Sequence, residues 1–231
     1  MSVVNLHNKI LILTTTFNEE SLLPVTMPCL MRVFDQDIVC IILDNCSDTP
    51  TRKYLHTLSH PQLKIEFLPQ NIGKANAVNQ WIAAHVLAAN LPKAIVSMDS
   101  DILFSRRSFR YLVHAVGSIP DAGMIGMRWE KNRCNPEINL FLPSKRILGR
   151  ENEVFKIKIP FLANVAGGIF AITGTVLRDY LHYELYPDSV GKIRYPDDVA
   201  LFYKLKRAKL LSGYLNGAYA THLKSDETYI I

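Results

Sequence analysis

The sequence lacks the features that mark several large classes of protein. No apolar run approaches the roughly 18 residues that span a bilayer, and the first residues lack the charged start and apolar core of a signal peptide. No G-x-G-x-x-G segment occurs, which excludes a Rossmann dehydrogenase. The four cysteines show no C-x-x-C spacing, so we expect reduced thiols rather than zinc ligands or disulfides. These absences together favour a soluble, cytoplasmic protein.

Positive charge is concentrated in the second half of the chain. The net charge of the 231 residues is +5. Residues 1–127 hold ten basic and ten acidic residues, whereas residues 128–231 hold 16 basic and 11 acidic ones. This excess indicates either an acidic partner for the second half or a solvated basic surface without a partner.

Apolar runs alternate with helical patterns four times before residue 118. Short apolar runs, which are typical of buried parallel strands, occur at 9–13, 38–43 and 94–98, and residues 63–68 alternate between apolar and charged side chains, which also predicts a strand. The alternation predicts an α/β fold with a mostly parallel, doubly wound sheet, whose ligands bind at the carboxyl ends of the strands. With 48% hydrophobic residues and no repeat or linker, we expect one domain over residues 1–231.

The later part of the chain gives a weaker pattern. We expect a third helix that extends to about residue 90, a helix from about 175 and an amphipathic helix over 197–209. Further strands are expected at 123–129, 154–159, 166–172 and 214–220. Residues 132–150 are expected to form an irregular, basic, mobile loop.

The run at 94–98 ends in two carboxylates, Asp99 and Asp101, separated by Ser100. On an extended segment, residues two apart point to the same side, so the two carboxylates can share a hard divalent cation. The alternative is that this segment only caps the helix that starts near Ser105. One residue would suffice for a cap, and two neighbouring like charges repel each other, so the sequence favours a metal site that also accepts a phosphate.

Polar side chains also follow the first three strands. Hydroxyl, amide and carboxylate groups follow the first strand and suit a base or a ribose, although Asn18 would serve equally as a helix cap. The second strand ends in Asp44 and Asn45, and a loop from Asn71 to Lys74 leads into the third helix. The sequence therefore predicts that several polar loops meet at one edge of the sheet.

Six segments in order resemble the motifs of family-2 glycosyltransferases. They are Thr-Thr-Phe-Asn-Glu-Glu, Asp-Asn-Cys-Ser-Asp, Asn-Ile-Gly-Lys-Ala-Asn-Ala-Val-Asn, Asp-Ser-Asp, Gly167-Gly168-x-Phe170 and Asp197-Asp198-x-x-Leu201-x-x-Lys204. The resemblance runs from about residue 10 to His222. It implies a GT-A fold, with a nucleotide-sugar-binding half over about 1–127 and an acceptor-binding half over about 128–231. It also implies an enzyme that transfers a sugar from a nucleotide-sugar donor to an acceptor hydroxyl.

The resemblance also assigns the donor site. Asp44 would accept the imide N–H of uracil, which favours a UDP-sugar, and Lys74 would provide a cation for a phosphate. Asp99 would contact the ribose hydroxyls, or the metal through water. The implied donor-binding residues are Thr15, Thr16, Asn18, Glu19, Asp44, Asn45, Asn71, Lys74, Asp99, Ser100 and Lys224.

The metal and the catalytic base are assigned in the same way. Asp101, Asp99 and His222 would ligate Mn²⁺ or Mg²⁺, although a lone histidine of this kind is as often structural. Asp198 would act as the general base with Asp197 assisting, and a single base implies inversion at the anomeric carbon. The glycines Gly167 and Gly168 would lie on the acceptor side.

This chain departs from the family pattern at two of these positions. Asp197 stands where the family usually has Glu, which shortens its reach by one methylene. Lys204 stands where Arg is usual, which weakens bidentate anchoring of a carboxylate.

The acceptor stays open at this level. A glycan or lipid-linked glycan is favoured, with peripheral contact to an anionic membrane at its inner face, and DNA with hydroxymethylated bases is the alternative. A binding module without turnover is the alternative of another class. Two basic segments are expected to contact the acceptor, and they contain Lys145, Arg146 and Arg150 in the first and Lys206, Arg207 and Lys209 in the second.

An Asp-x-Asp phosphatase and a nucleotidyltransferase fit less well. The phosphatase motif would follow the first strand, whereas Asp99 and Asp101 follow the fourth. A nucleotidyltransferase would need a glycine-rich phosphate loop after the first strand, and residues 14–20 contain no glycine.

Overall fold

The apolar runs of the sequence form the strands of one large sheet. The computed structural model describes residues 4–130, 143–160, 168–187, 189–190, 193–194 and 197–223. The strands are β1 Ile10–Thr16, β2 Ile38–Asp44, β3 Leu63–Phe67, β4 Ala94–Asp99, β5 Ile102–Phe104, β6 Ala122–Trp129, β7 Ser144–Leu148, β8 Val154–Lys158, β9 Ile169–Ile172, β10 Ser189–Val190, β11 Ile193–Arg194 and β12 Leu211–His222.

Six α-helices cover the sheet within the described residues, and none of them is long and apolar enough to cross a bilayer. They are α1 Leu23–Met31, α2 Thr49–Thr57, α3 Lys74–His85, α4 Arg106–Ser118, α5 Gly174–Asp179 and α6 Asp197–Arg207, with a 3-10 turn at Ala88–Asn90.

The strand order of the large sheet is β3-β2-β1-β4-β9-β6-β12-β8-β7, and β5 pairs with β12, whereas β10 and β11 form a separate two-stranded sheet. Strands β1 to β4 are parallel to their neighbours among them, β9 is antiparallel to both β4 and β6, and β12 is parallel to β6. The predicted α/β fold with a mostly parallel, doubly wound sheet is confirmed.

Alternate residues of each central strand pack into two cores, one on each face of the sheet. In β1, Ile10 and Ile12 belong to one core, whereas Leu11 and Leu13 belong to the other. Helices α1, α2 and α4 cover the first face, and helices α3, α5 and α6 cover the second. The polar loops are therefore confined to the ends of the strands.

Strand direction brings the ends of distant strands to one edge of the sheet. Because β9 is antiparallel to both of its neighbours, β6 and β12 run in the same direction as β4. The carboxyl ends of β1, β2, β4 and β12 therefore share an edge with the start of β9. This edge, called the metal edge below, carries Asp99 and His222 at the ends of β4 and β12.

The structure differs from the sequence-based expectations in the later part of the chain. Residues 144–148 are not part of an irregular loop, because they form β7 and pair with β8 from Ser144↔Lys158 to Leu148↔Val154. Residues 131–142 lie outside the described residues. Helix α3 ends at His85 rather than near residue 90, since Val86 is already extended. Strand β5, which was not expected, adds an antiparallel partner to β12.

The central position of β9 leads to a prediction about stability. Phe170 is fully buried, pairs with both β4 and β6, and contacts the ring of Tyr186 edge-on. We expect Phe170→Ala to lower the free energy of unfolding by about 3–5 kcal/mol, because it leaves a cavity that the sheet cannot close. Urea denaturation measures this loss. The exposed Leu87 provides the control, since Leu87→Ala should change it by less than about 0.5 kcal/mol. Equal effects of the two substitutions would contradict the placement of β9.

Candidate functional site

Two carboxylates and one imidazole meet at the metal edge. Asp99 is the last residue of β4, while Ser100 and Asp101 form a turn that leads into β5. The expectation that both acids lie on one extended segment is therefore wrong for Asp101. The turn nevertheless places one ligand atom each of Asp99, Asp101 and His222 within 4.8 Å of one another. The structure therefore brings these three predicted side chains together.

Strand β12 delivers His222 to this group. It pairs antiparallel with β5, so that His222 lies opposite Ile102, and the Leu223 N–H donates to the Asp101 carbonyl oxygen at 3.0 Å. The His222 Nε2 atom lies 3.3 Å from Asp101 Oδ2. Carboxylate oxygens suit hard divalent cations, and an added imidazole is compatible with Mn²⁺. The three residues therefore fit a divalent metal ion.

Gly168 and Trp129 fix the position of His222. The Trp129 ring contacts the His222 ring edge-on, with 5.5 Å between their centroids. A Cβ atom on Gly168 would lie 2.3 Å from Cη2 of Trp129, so only glycine leaves room for this indole. The Gly168 carbonyl oxygen also accepts a hydrogen bond from the Asp99 N–H at 2.8 Å. Gly167 and Lys224, the other expected members of these segments, lie outside the described residues.

Lys74 supplies a positive charge beside Asp99. Its ammonium group forms an ion pair with Asp99 Oδ1 and lies 5.4 Å from the centroid of the Tyr186 ring. Burial lowers the pKa of Lys74, but the neighbouring Tyr186 and Asp99 raise it by more, so the pKa lies above its usual range. Lys74 therefore stays charged, and it reduces the repulsion between Asp99 and Asp101.

Tyr186 was not predicted from the sequence. Its hydroxyl lies 2.6 Å from Ser97 Oγ, within β4. Its backbone is held by Asn79 of α3, whose Nδ2 donates to the Tyr186 carbonyl oxygen at 2.8 Å and whose Oδ1 accepts from the Tyr186 N–H at 3.0 Å. Asn79 lies in one of the motifs quoted above, but the sequence did not indicate that its partner lies 107 residues further along.

Glu19 connects the first loop to the turn between the two acids. It is buried, and its Oε2 accepts from Thr16 Oγ1 at 3.2 Å and from Ser100 Oγ. Ser100 Oγ also lies 2.9 Å from the Thr15 carbonyl oxygen. Thr15, Thr16, Glu19 and Ser100 therefore form one hydrogen-bonded unit beside Asp99 and Asp101.

The asparagines expected in the donor site hold loops to one another. Asn18 donates its N–H to Ser47 Oγ at 3.0 Å, and its Oδ1 accepts from the Asp48 N–H at 2.8 Å. Asn45 Nδ2 donates to Asn71 Oδ1 at 2.8 Å. The alternative that Asn18 caps α1 is wrong, because the N-cap residue of α1 is Leu22.

The alternative role of the two acids as a helix cap is likewise wrong. Helix α4 is capped by Ser105, whose hydroxyl accepts from the Ser108 N–H at 3.0 Å. Asp99 and Asp101 are therefore not needed to begin that helix.

Asp44 is fully buried at the end of β2. Its Oδ2 accepts from Arg52 Nε at 2.8 Å, and its Oδ1 accepts from the Ser47 N–H at 3.1 Å. The Arg52 guanidinium is partly exposed and lies 5.7 Å from the centroid of the Phe67 ring. Asp44 is therefore buried and paired with Arg52, whose guanidinium is the more exposed of the two groups and also donates to the Leu68 carbonyl oxygen at 3.0 Å. Neither Arg52 nor Phe67 was predicted.

Asp198 is the second residue of α6. It is half-buried, and its Oδ1 accepts from the Val199 N–H at 2.9 Å, while the side chain of Asp197 lies outside what the structure describes. Helix α6 turns back into β12 through residues 208–210, so the N-terminus of α6 points toward the end of the sheet where β12 finishes. This direction is consistent with a position of Asp198 near the metal edge.

Lys206, Arg207 and Lys209 lie at the other end of α6. A helix of 11 residues is about 16 Å long at its usual rise per residue. These basic side chains therefore do not lie at the metal edge, and neither do Lys145 and Arg146 of β7, whose neighbour β8 pairs with the first half of β12. An acceptor that reacts at the metal edge would need to be extended to reach them.

The packing of Trp129 on His222 leads to a prediction about metal affinity. We expect Gly168→Ala to displace Trp129 and weaken Mn²⁺ binding by about tenfold or more, the usual scale for groups that orient a ligand. Electron paramagnetic resonance of free Mn²⁺ measures the affinity. The matched control is Gly117→Ala in α4, where an added Cβ meets nothing within 4 Å. Equal Mn²⁺ affinity of the two variants would show that Trp129 does not position His222.

Solved structures show similarity over nearly the whole chain at low sequence identity. The mannosyltransferase PcManGT from Pyrobaculum calidifontis, in complex with GDP-Man and Mn²⁺, aligns with 94% of this chain at a TM-score of 0.64 and 16% identity. TarS from S. aureus, in complex with UDP-GlcNAc, aligns with 96% at 0.64 and 14%. GalNAc-T7, with UDP, GalNAc and Mn²⁺, aligns with 94% at 0.66 and 11%.

These similarities show that the fold is of the GT-A type, as the resemblance of the motifs implied. The alignments cover 57%, 62% and 44% of PcManGT, TarS and GalNAc-T7, so this chain corresponds to only part of each protein.

The family comparison covers most of the chain. No curated protein matches it in sequence. The model of glycosyl transferase family 2 matches residues 11–182, which include the first loop, the Asp44 segment, Lys74, both acids and Gly168. The chain therefore belongs to glycosyl transferase family 2.

Proposed function

We propose that this protein is a metal-dependent glycosyltransferase that moves a sugar from a nucleotide-sugar to an acceptor hydroxyl with inversion. The observation that carries the proposal is the grouping of Asp99, Asp101 and His222 within 4.8 Å, beside the ammonium group of Lys74. Membership of glycosyl transferase family 2 supports it. So do the Mn²⁺ ions and nucleotides named in the complexes of PcManGT and GalNAc-T7.

The chemistry of the leaving group explains why these residues are needed. When the anomeric bond breaks, the diphosphate of the donor gains negative charge, which a bound Mn²⁺ or Mg²⁺ would offset. Asp101 and His222 would hold the ion, with Asp99 contributing directly, through water or by contact with the ribose. Lys74 would bind the diphosphate with its ammonium group, and Lys224 would assist there.

We propose UDP as the nucleotide. Thr15, Thr16, Glu19 and Ser100 would line the ribose and base, while Asn18, Asn45 and Asn71 hold the surrounding loops in place. Arg52 would bind a carbonyl oxygen of the base, because its guanidinium is held by Asp44 and is partly exposed. A direct bond from the uracil imide to Asp44, as the resemblance implies, would require the Arg52 side chain to move.

Asp198 would act as the general base. The acceptor hydroxyl would attack the anomeric carbon, its proton would pass to the Asp198 carboxylate, and the bond to the diphosphate oxygen would break in the same displacement, releasing UDP. Asp197 would assist, with Gly167 and Gly168 on the acceptor side. One displacement with one base inverts the configuration.

A glycan or lipid-linked glycan is the acceptor that we propose. DNA with hydroxymethylated bases is the alternative substrate, and a nucleotide-sugar-binding module without turnover is the alternative of another class. Nucleotide release from a panel of UDP- and GDP-sugars in Mn²⁺, followed by analysis of products with glycan, lipid-linked and DNA acceptors, separates the three. Donor binding without any release or transfer would favour the module.

We expect UDP binding to require both a divalent ion and Asp101. Calorimetry should show that Mn²⁺ strengthens UDP binding to the native chain, and that Asp101→Ala removes this effect because a metal ligand is lost. Asp37→Ala is the control, since Asp37 is an acid with a half-exposed side chain that pairs with Lys93. If Asp101→Ala kept the native dependence on Mn²⁺, the assignment of the metal site would be wrong.

We also expect Asp198→Asn to lower the transfer rate by about 100-fold or more while UDP affinity stays the same, because the amide keeps the size of the side chain but cannot take a proton. The matched variant Asp197→Asn should have a smaller effect. Proton NMR of the first product should show the inverted anomer. A fully active Asp198→Asn with an inactive Asp197→Asn would exchange the two roles, and a retained anomer would contradict the single displacement.

A further inference from the structure

Two basic segments that are far apart in sequence meet around one cleft. The cleft has a volume of about 470 Å³ and lies between the β7–β8 hairpin, the end of α6 and the start of β12. Lys145 of β7 lines one side, while Lys206 of α6 and Lys209 line the other. The acid among its lining residues is Asp121. The structure thus places three lysines against one acid in the lining of the cleft.

The rest of the cleft is mainly apolar. Ile119, Ile147, Phe202 and Leu211 are among its lining residues. Lys206 lies one helical turn after Phe202 on α6, with its ammonium group 5.8 Å from the centroid of the Phe202 ring. A cleft lined by apolar side chains and lysines suits a ligand that has both a hydrocarbon part and a negatively charged group.

The outer face of the hairpin also combines exposed apolar side chains with basic ones. Leu148 and Val154 lie directly opposite each other at the end of the hairpin and are 58% and 56% exposed. Among the large hydrophobic side chains of the described residues, no other is as exposed as these two. The next pair on the same face is Arg146 and Lys156, both exposed. Like charges directly opposite each other destabilise a strand pair unless an anion lies against them.

Glu153, in the hairpin turn, lies against α4 and not against the basic pair of this face. Glu151 and Glu153 lie in the turn between β7 and β8, and Glu153 is 3.7 Å from His114 of α4. Phe155 and Ile157 point into the core, so the alternation of β8 leaves Val154 and Lys156 outside.

This surface is far from the metal edge. Strand β12 begins with Leu211 at the cleft and ends with His222 among the metal ligands. Its 12 residues span about 35 Å when fully extended, and the irregular pairing with β6 shortens this somewhat. A partner of the cleft therefore does not occupy the donor site.

We propose that this face docks the protein onto an anionic lipid bilayer. The hairpin surface consists of Arg146, Leu148, Val154 and Lys156, and it adjoins the cleft because Leu148 also lines that cleft together with Lys206 and Lys209. Its basic side chains attract acidic lipid headgroups, and its exposed aliphatic side chains enter the region between headgroups and acyl chains. A nucleic acid would bind the basic side chains through its phosphates. It would offer little apolar surface to the exposed leucine and valine, which gain free energy only when they are buried in an apolar environment.

The test uses the full chain without any nucleotide or sugar, so its outcome does not depend on the proposed transfer. Sedimentation with phosphatidylcholine vesicles that contain phosphatidylglycerol should remove the protein from solution, whereas phosphatidylcholine alone should not. Binding should weaken as the salt concentration rises, since the attraction to acidic headgroups is screened.

Two double variants separate charge from apolar contact. Arg146→Glu with Lys156→Glu keeps a like-charged pair but reverses its sign, and should weaken binding to the anionic vesicles by about 100-fold or more. Leu148→Ser with Val154→Ser should weaken it by about tenfold. The controls are Arg106→Glu with Arg107→Glu, both exposed at the start of α4, and Leu87→Ser with Val25→Ser, which are similarly exposed. Circular dichroism and the thermal unfolding midpoint verify the fold of each variant.

Several results would overturn the proposal. Docking by this face is excluded if binding to vesicles does not depend on their phosphatidylglycerol content. It is also excluded if both hairpin variants bind as well as the native chain. Equal loss in the control variants would mean that net charge alone governs binding. Tight binding to duplex DNA at the same salt concentration, lost with Arg146 and Lys156 but not with Leu148 and Val154, would identify a nucleic acid as the partner instead.

Discussion

The structure depends on holding two carboxylates close together at the end of one buried strand. Asp99 and Asp101 repel each other. The turn between them is stabilised because a basic side chain lies against each of the two carboxylates. Lys74 pairs with Asp99, and His222 lies 3.3 Å from Asp101. Without a metal, the repulsion between the two carboxylates has to be offset by these neighbours. A divalent cation would offset it directly, with His222 as a neutral ligand.

The topology explains how such distant residues converge. The antiparallel β9 lies between β4 and β6, and this arrangement allows β12 to finish at the metal edge. Gly168, at the start of β9, leaves space for Trp129 of β6, and Trp129 packs against His222. One short strand therefore fixes both the direction of β12 and the contact that orients its last residue.

Much of the fold was predictable from the sequence, because buried parallel strands read as continuous apolar runs and their polar ends stand out. Asp99, Asp101 and His222 were grouped correctly on the motifs. Tyr186 and Arg52 were missed, since their roles depend on contacts across the fold that no local pattern reveals. Strand β7 was read as a loop, because its exposed bases conceal the pairing with β8.

The metal edge carries the proposed chemistry, and the hairpin surface lies far from it. The whole proposed mechanism requires that Asp101 and His222 ligate the metal. Crystals soaked in Mn²⁺ and UDP, measured at the manganese absorption edge, would show which side chains contact the ion. We expect an anomalous peak in contact with the Asp101 carboxylate and His222 Nε2. A peak elsewhere, or bound UDP without any peak, would mean that these two residues do not hold the metal.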